Sequence, residues 1–538
     1  MKRKIIFIAG MVALLAGTLN AQTEQDGFAK LSQKEYGAAK QIFSGLLKAD
    51  PKNAAALYGM GEYYFYTGKM DSAKTYYQGG LDASSSYAYN YTGLGKVSLL
   101  SNPGAAEEYF KDALKKSKKD VGAILAIARF YYEQTPKNLT EAKRYIDLAI
   151  AIDAKNGPVY FLDGLIDLDQ SNASEAALNF DRSIYFDPNQ LEAYLYSSQI
   201  MASTRNLTQA VEYLNKALAI NPNYWKAYKA LGELYYDNQK YVEAITNFDT
   251  YFKNVTPPDN DMTHYAYSLF FNKQFQPARE MIDKLIAQNP NDYVLLRLVG
   301  YISYETKDLV NGKKVMDKFF QLVPADKVLT DDYAYYGKML SASGMDSLAI
   351  ENYKLALKKD STQFQMFDEL SKSSMKLKKY DQGLQYSMAY IQNKPNVVTA
   401  DYFQLGKAFY SSANSLDVKT DSLKQLSYYQ SADSIFTKVE TYSPNSYLGP
   451  FWRARVNSVL DTETTLGLAK PFYEKALETL IKDPVKYKKE LSEVYAYLGF
   501  YYYVKEETDV SIEYWKKLLD VDPENLKAQE AIKSLEKK

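Results

Sequence analysis

Residues that could perform covalent, acid–base or metal chemistry are scarce in this sequence. The 538 residues include no cysteine and a single histidine, His264. The chain therefore cannot form disulfides, thiolate metal sites or cysteine nucleophiles, and one imidazole supports little acid–base chemistry. No Walker loop, GxSxG, HExxH or dinucleotide fingerprint is present. The sequence predicts a protein that is not an enzyme, with no catalytic residues, no cofactor and no metal.

Two weaker patterns are better explained by structure than by ligand binding. The segment from Asp167 to Glu175 has the alternating oxygen-bearing residues of a calcium loop, but it lacks the glycine that such a loop needs. The glycine pairs at 59 and 61 and at 93 and 95 are spaced like part of a phosphate loop. We interpret those glycines as close-packing positions between helices.

Charge and aromatic content limit the class of partner. The chain has 65 Lys and Arg against 65 Asp and Glu, so no overall field attracts it to nucleic acid or to an anionic membrane. Tyrosine is over-represented, with 51 residues, and aromatic residues make up 14% of the chain. The charge balance predicts no nucleic-acid partner, and the tyrosine excess requires an explanation from the fold.

The N-terminal segment has the plan of an export signal. Lys2, Arg3 and Lys4 precede an apolar stretch over residues 5–16, and Ala21 ends a plausible cleavage site. We expect residues 1–21 to be a cleavable signal peptide. No other window is long and apolar enough for a membrane span, and without cysteine a lipid anchor is absent. The expected location is the periplasm, or an exported protein associated with the outer membrane through its partners.

An internal repeat organises the rest of the chain. A small residue, followed four positions later by a bulky apolar one, recurs with a spacing close to 34 residues, and five consecutive spacings of 34 separate Ala142 from Gly312. The fourteen anchor residues are Ala39, Ala73, Ala106, Ala142, Ala176, Ala210, Ala244, Ala278, Gly312, Ala349, Gly383, Ala432, Ala469 and Ser511.

Within one repeat the apolar residues follow helical spacing. Tyr228, Leu231 and Tyr235 fall on one face of a first helix, and Ala244 and Phe248 fall on one face of a second helix after a short polar turn. Each repeat is therefore predicted to be a pair of amphipathic helices. Asp-Pro and Asn-Pro steps between repeats are expected to end the second helices.

This pattern resembles the tetratricopeptide-repeat (TPR) family over essentially the whole chain after the signal segment. The family's spacing of Gly, Tyr, Ala and an aromatic residue is carried by Gly232-Tyr235-Ala244-Phe248, by Gly61-Tyr64-Ala73-Tyr77 and by Gly499-Tyr502-Trp515. The resemblance implies an all-α, right-handed superhelical α-solenoid of about 14 TPR-like helix pairs with a C-terminal cap helix. Ser198, Ala266 and Ser371 depart from the glycine of the pattern.

The repeat spacing also predicts the domain organisation. After the signal peptide at 1–21, we expect an N-terminal array of about seven repeats over 22–256 and a C-terminal array of about seven repeats over 257–524. Insertions are expected near 411–427 and 476–490, the first as an extension of both flanking helices rather than a free loop. Residues 525–538 are predicted to form the cap helix.

The resemblance also implies candidate partner-binding residues. In this family the first helices line the inner, concave surface, and four positions of each repeat point into it. Carrying that register across predicts twelve residues: Arg129, Tyr132, Tyr267, Phe270, Arg297, Tyr301, Tyr304, Lys338, Lys407, Tyr410, Arg455 and Tyr503. We expect packing between repeats not to require them, and aromatic anchors with interspersed cations suit extended peptide segments or sugar faces.

Two functional hypotheses follow. The first is a non-enzymatic protein–protein interaction scaffold of the bacterial cell envelope, which holds partners in an outer-membrane assembly or secretion complex. Its partners would be one or more envelope proteins or extended peptide segments. The alternative is a polysaccharide-handling or export-associated module in which the aromatic residues of the groove stack on sugars. The fold class does not decide between them.

Overall fold

The computed structural model describes residues 23–256 and 261–537, and this part of the chain is all-helical, with 29 α-helices and one short 3-10 helix. The expected signal peptide lies outside the described residues. No helix in the described ranges is long and apolar enough to cross a bilayer. The chain divides into two compact units, Met1–Pro257 and Pro258–Lys538, called here the first and second units.

The first unit contains fourteen helices in its described part. They are α1 (Glu24–Ser32), α2 (Tyr36–Ala49), α3 (Ala54–Tyr66), α4 (Met70–Ala83), α5 (Ala88–Leu99), α6 (Pro103–Ser117), α7 (Gly122–Glu133), α8 (Leu139–Ile152), α9 (Gly157–Asp169), α10 (Ala173–Phe186), α11 (Leu191–Ser203), α12 (Leu207–Ile220), α13 (Trp225–Asp237) and α14 (Tyr241–Asn254).

The second unit contains fifteen α-helices in its described part, with the 3-10 helix at Ala325–Lys327. They are α15 (Asp261–Phe271), α16 (Phe275–Gln288), α17 (Tyr293–Glu305), α18 (Leu309–Leu322), α19 (Thr330–Ala342), α20 (Asp346–Lys359), α21 (Gln365–Lys376), α22 (Tyr380–Asn393), α23 (Thr399–Asn414), α24 (Val418–Tyr442), α25 (Leu448–Leu460), α26 (Lys470–Leu480), α27 (Lys488–Val504), α28 (Thr508–Val521) and α29 (Leu526–Leu535).

Consecutive helices pack in pairs, each odd-numbered helix against the even-numbered helix that follows it. Helices α1 to α28 form fourteen such pairs, and α29 packs against α28 as a final single helix. The predicted fold class, an α-solenoid of about 14 helix pairs with a C-terminal cap helix, is confirmed. All fourteen anchor residues of the repeat are buried.

The turn within a pair has a recurring backbone geometry. In ten pairs three residues join the two helices, and the middle one has a positive φ between 57° and 77°. Only Gly68 and Gly344 are glycines among these ten. The other eight are Lys34, Ser171, Arg205, Gln239, Lys273, Lys307, Lys378 and Glu506. Because a non-glycine residue rarely adopts this conformation on its own, the packing of the two helices must impose it.

The close approach of paired helices depends on glycine. An aromatic ring of the second helix lies against a glycine of the first, so that a Cβ atom added to Gly61 would lie 2.2 Å from the Tyr77 ring. The same Tyr77 ring also fills the space over Gly93 on the first helix of the next pair. Equivalent pairs are Gly27 with Phe43, Gly95 with Phe110, Gly164 with Phe180, Gly232 with Phe248, Gly337 with Tyr353, Gly406 with Phe436 and Gly499 with Trp515.

The three repeats with Ser198, Ala266 and Ser371 in place of this glycine also lack an aromatic residue sixteen positions later. The residue sixteen positions after Ser198 is Leu214, and the one after Ala266 is Ile282, so a smaller side chain faces a filled position. Ser371 is followed at the same interval by Ser387, and the two hydroxyls lie 2.6 Å apart. The departures from the family pattern are therefore compensated by the size of the partner residue, as close packing requires.

Residues near 411–427, where the sequence predicts an insertion, lie largely within two long helices. Helix α23 continues to Asn414, and α24 runs for 25 residues with one break in its helical geometry at Asp421. Gln425 donates a hydrogen bond to the carbonyl oxygen of Ala413 at 3.0 Å, which ties the extension of α24 to the end of α23. The second insertion similarly contributes to a 17-residue α27 that begins at Lys488.

A buried carboxylate organises the longer connection between α25 and α26. Asp461 is only 6% exposed and accepts hydrogen bonds from the backbone N–H groups of Leu466, Gly467 and Leu468, at 2.7 Å from Gly467. Burial alone would raise the pKa of Asp461, but these backbone hydrogen bonds outweigh it, and the pKa lies below its usual value. The charge of Asp461 therefore stabilises this loop.

We predict that alanine has opposite effects at two glycines of the first unit. Gly61→Ala should reduce the free energy of unfolding by about 1–3 kcal/mol, because the new methyl group overlaps the Tyr77 ring. Gly45→Ala, in α2 with no atom near its Cβ direction, should raise it by about 0.5–1 kcal/mol. Thermal unfolding of the full chain measures both, and a neutral Gly61→Ala would contradict the packing argument.

We also predict a pH-dependent effect of Asp461→Asn. Because the folded-state pKa is below the unfolded value of about 3.9, the carboxylate stabilises the fold above that pH, and its contribution disappears as the pH falls. The variant should lose about 1–3 kcal/mol at neutral pH, and the gap to the parent should close in acid. Urea unfolding with hydrogen exchange of α26 tests this. Exposed Glu463→Gln in the same loop is the control, and a gap independent of pH would contradict the prediction.

Candidate functional site

The twelve predicted partner-binding residues all lie on odd-numbered helices, the first helices of their pairs. Arg129 and Tyr132 lie on α7, Tyr267 and Phe270 on α15, Arg297, Tyr301 and Tyr304 on α17, Lys338 on α19, Lys407 and Tyr410 on α23, Arg455 on α25, and Tyr503 on α27. Their side chains fall into three environments: a buried cluster, a half-buried cluster and two open recesses.

The buried cluster joins α17 to α19 in the second unit. Arg297 binds the carboxylate of Asp332 through two nitrogens, at 2.7 and 3.0 Å, and donates a third hydrogen bond to the carbonyl oxygen of Lys327. Tyr301 donates its hydroxyl to the same carboxylate at 2.7 Å. The Tyr301 ring stacks on Tyr335, with centroids 4.1 Å apart. This network is saturated, since each charged group already has its partners.

For three of the twelve predicted residues, the expectation that packing between repeats does not require them is wrong. Phe270, Tyr301 and Arg297 are only 5%, 5% and 7% exposed. Phe270 packs against the rings of both Tyr301 and Tyr335, at 6.0 and 6.3 Å. The physical reason is that successive first helices contact one another directly, so the same positions also form the seam between neighbouring pairs.

The edge of this cluster is more accessible. Tyr304 contacts the Tyr335 ring edge-on at 5.7 Å, and the ammonium of Lys338 lies 5.6 Å from the same ring. Tyr267 donates its hydroxyl to the carbonyl oxygen of Val294 at 3.2 Å and so links α15 to α17. The sequence analysis missed Tyr335, which is the centre of the contacts, although it lies three residues before Lys338 on the same helix.

The half-buried cluster surrounds Trp452 on α25. The guanidinium of Arg455 lies 4.7 Å from the Trp452 ring, and Lys407 and Tyr410 approach that ring at 5.6 and 5.5 Å. Arg455 also forms a two-pronged ion pair with Glu493 on α27, at 2.8 and 2.6 Å. The sequence analysis missed Trp452, which is the centre of these contacts.

An open recess of about 480 Å³ lies beside the cap helix α29. Tyr503, which is 44% exposed, lines it together with Phe500 and the buried Trp515. Lys527 and Glu530 of α29 supply charges of both signs. Tyr503 is thus a predicted residue of the second unit that lines an open recess.

The first unit contains a second open recess, of about 540 Å³, called here the N-terminal recess. Side chains reach it from the α1–α2 turn, from α3 and from α7. Its principal lining residues are Lys34, Tyr36, Tyr58, Tyr66, Arg129, Tyr132 and Glu133. The structure therefore brings together two of the predicted residues, Arg129 and Tyr132, with Lys34, Tyr36 and Tyr66, which the family register does not supply.

A buried ion pair forms one wall of the N-terminal recess. Lys96 of α5 binds both carboxylate oxygens of Glu62, at 2.7 and 2.8 Å, and Tyr77 donates a hydrogen bond to the same group at 2.7 Å. The Lys96 ammonium lies 4.6 Å from the ring of Phe65. The ion pair joins α3 to α5. Because the charges of Lys96 and Glu62 neutralise each other, the pair contributes little net electrostatic field to the recess.

Tyr66 remains a protonated hydrogen-bond donor at the rim of this recess. Its hydroxyl lies 3.4 Å from a carboxylate oxygen of Glu133 on α7. Burial, followed by the negative charges of Glu62 and Glu133, raises the pKa of Tyr66 well above its ordinary value. The sequence analysis missed Tyr66 and Lys34, because Tyr66 ends its helix and Lys34 is a turn residue.

The described residues contain no group of three or more His, Asp or Glu side chains placed to hold a metal ion. The surface chemistry of the recesses consists of aromatic rings, tyrosine hydroxyls and charged groups. Such a surface can recognise polypeptide through packing, hydrogen bonds and ion pairs.

Comparisons with known proteins agree with this architecture. Two sequence profiles described as Tetratricopeptide repeat match residues 30–86 and 202–255. The C-terminal part of a TPR repeat-containing protein from Cytophaga hutchinsonii is 32% identical, with 50% of this chain and 99% of that one covered and a TM-score of 0.43. A search of curated proteins finds no match.

Other solved structures are similar at lower sequence identity. PilF of Pseudomonas aeruginosa is 18% identical, with 42% of this chain and 96% of that one covered and a TM-score of 0.30. Yeast Tom70 is 13% identical, with coverage of 75% and 98% and a TM-score of 0.31.

The paired helices and the profile matches define an α-solenoid built from helix–turn–helix repeats. The chain belongs to the tetratricopeptide-repeat family. Proteins of this family act as protein–protein interaction scaffolds that bind peptides or proteins, and the fold is generally a non-catalytic interaction module.

We predict that Arg297 and Lys338 differ sharply when each is replaced by methionine. Arg297→Met leaves the buried Asp332 carboxylate without its partner and should cost about 3–5 kcal/mol of folding free energy. Lys338→Met removes a half-exposed cation and should change stability by less than about 0.5 kcal/mol. Urea unfolding of the full chain compares them, and Arg297→Met combined with Asp332→Leu should recover part of the loss. Equal, small effects would contradict the structural role of Arg297.

Proposed function

We propose that this protein is a scaffold of the cell envelope of a Gram-negative bacterium. In this proposal residues 1–21 direct export, and the mature chain works in the periplasm or at the outer membrane. There it holds partner proteins in an assembly or secretion complex. The support is the export signal in the sequence, the absence of a cysteine for a lipid anchor, and the family to which the repeats belong.

The observation that carries the proposal is the pair of open recesses on first helices. One lies in the first unit and one in the second, both are lined by aromatic side chains and by charged groups, and both include residues that the family register predicts as partner-binding. A core built only for packing would close such spaces, because interiors are filled to crystal-like density. The recesses are therefore candidate docking points on a surface that is otherwise occupied by contacts between repeats.

The polysaccharide alternative needs free aromatic faces for sugars to stack on. Several first-helix rings lack a free face. Tyr301 stacks on Tyr335 with a centroid separation of 4.1 Å, and Tyr36 stacks on Tyr66 at 6.1 Å. Since these rings already pack on one another, the geometry favours polypeptide over glycan as the partner.

Site-specific photo-crosslinking in the source organism tests the scaffold. We expect p-benzoylphenylalanine in place of Tyr503, in the recess beside α29, to capture envelope proteins from periplasmic and outer-membrane fractions. The same probe in place of Tyr185, which is 79% exposed on the second helix α10, should capture few.

Two results would overturn the proposal. The first is retention of the chain with an uncleaved N-terminus in the cytosolic fraction. The second is crosslinking of Tyr185 and Tyr503 positions to the same unrelated, abundant proteins. Recovery of a glycan-bearing adduct at Tyr503 without any protein would instead favour the polysaccharide alternative.

A further inference from the structure

The N-terminal recess collects side chains from repeats that are not neighbours in sequence. Phe65 of α3 contacts Phe130 of α7 edge-on, with ring centroids 6.0 Å apart, and Tyr66 reaches Glu133 across the same gap. Helix α5, which lies between them in the chain, presents Lys96 to Phe130 from 6.0 Å. The first unit therefore brings α7 close enough to α3 to form one continuous recess with the α1–α2 turn.

Two cations in this recess lack a carboxylate partner. Lys34 and Arg129 are exposed, and within the described part of the chain neither has a carboxylate oxygen within 4.0 Å. The neighbouring Lys137 differs, because it forms an ion pair with Asp169 at 2.7 Å. The local charge is thus positive although the whole chain is neutral.

Two carboxylates also line the recess, and they cancel only part of this charge. Glu62 is neutralised by Lys96, whereas Glu133, which accepts a hydrogen bond from Tyr66, keeps its negative charge, so the two cations still outnumber the unpaired carboxylate. Of the charged groups that line the recess, Lys34 and Arg129 remain the two cations available to a ligand. An anionic group is therefore the complementary partner.

The tyrosines of the recess offer edges and hydroxyls rather than open faces. The Lys137 ammonium lies 4.1 Å above the Tyr132 ring, Tyr36 stacks on Tyr66, and Tyr58 is only 6% exposed. Hydroxyl donors beside unpaired cations suit carboxylate oxygens, whereas stacking on a sugar ring needs a free face. This geometry favours an acidic polypeptide over an anionic glycan.

We propose that the N-terminal recess binds an acidic segment of a partner protein, whose Asp or Glu side chains pair with Lys34 and Arg129. An apolar side chain of the segment packs against Phe28 and Leu31. This inference rests on the proposed scaffold function and names the chemistry of one partner. The binding should weaken steeply with salt, because both cations are exposed.

Fluorescence anisotropy with the purified mature chain tests the recess. The probe is a short labelled peptide of Asp, Glu, Leu and Tyr with an amidated C-terminus, and its counterpart has Asn and Gln at the acidic positions. The acidic peptide should bind, and the neutral one should bind at least about tenfold more weakly, a difference of about 1.4 kcal/mol.

Charge reversal locates the site. Arg129→Glu and Lys34→Glu should each weaken the acidic peptide by about tenfold or more. Lys74→Glu makes the same change of net charge at an exposed position of α4, outside the recess, and should have little effect. Unchanged thermal unfolding of all three variants shows that the exposed substitutions leave the fold intact.

Four outcomes would overturn the inference. They are equal binding of the neutral peptide, an equal loss in Lys74→Glu, binding only when the peptide has a free C-terminal carboxylate, and binding of polygalacturonate but not of the peptide. If one of these outcomes is observed while the Tyr503 position still crosslinks to envelope proteins, the proposed scaffold function is unaffected. If those crosslinks are absent but the acidic peptide still binds, the proposed envelope function is wrong and the proposed binding in the N-terminal recess is retained.

Discussion

The contact between a ring on one helix and a glycine on its partner sets the geometry of both units. Where Tyr77 fills the space over Gly61 and Gly93, two successive first helices and one second helix are fixed by a single side chain. The helices can approach this closely only because glycine has no Cβ. In ten pairs the turn between the two helices has a residue with a positive φ, including turns that contain no glycine. The N-terminal recess lies where first helices from different pairs meet.

The sequence predicted the fold well because the packing constraint is local and repeated. Gly232 and Phe248 are sixteen residues apart, so the ring–glycine contact is visible as a period in the chain. The lengthened α23 and α24 followed from a polar insertion that kept helical character. Turn geometry was less visible, since a residue such as Lys307 or Glu506 gives no signal of a positive φ. There the conformation is imposed by tertiary packing.

The candidate site was predicted in part. The family register placed all twelve residues on first helices, but it could not separate those that bridge neighbouring repeats from those that stay accessible. Arg297 and Tyr301 are used by Asp332, a carboxylate from another repeat that no single-repeat pattern reveals. Arg129 remains exposed, in a recess lined by residues of both the α1–α2 turn and α7, which are far apart in the sequence. Burial and charge pairing at these positions are properties of the stack, which a repeat-by-repeat alignment does not contain.

The matching of ring to glycine has a consequence for how the order of repeats is inherited. Tyr77 is accommodated by the pair that follows it, through Gly93, as well as by its own pair. In other repeats a Leu214 or a Ser387 takes the ring's place. A repeat copied to another position would carry, at the position of the ring, a side chain of the wrong size for its new neighbour. Recombination within such a gene should therefore preserve adjacent repeats as blocks, so that the array evolves as an ordered series rather than as interchangeable modules.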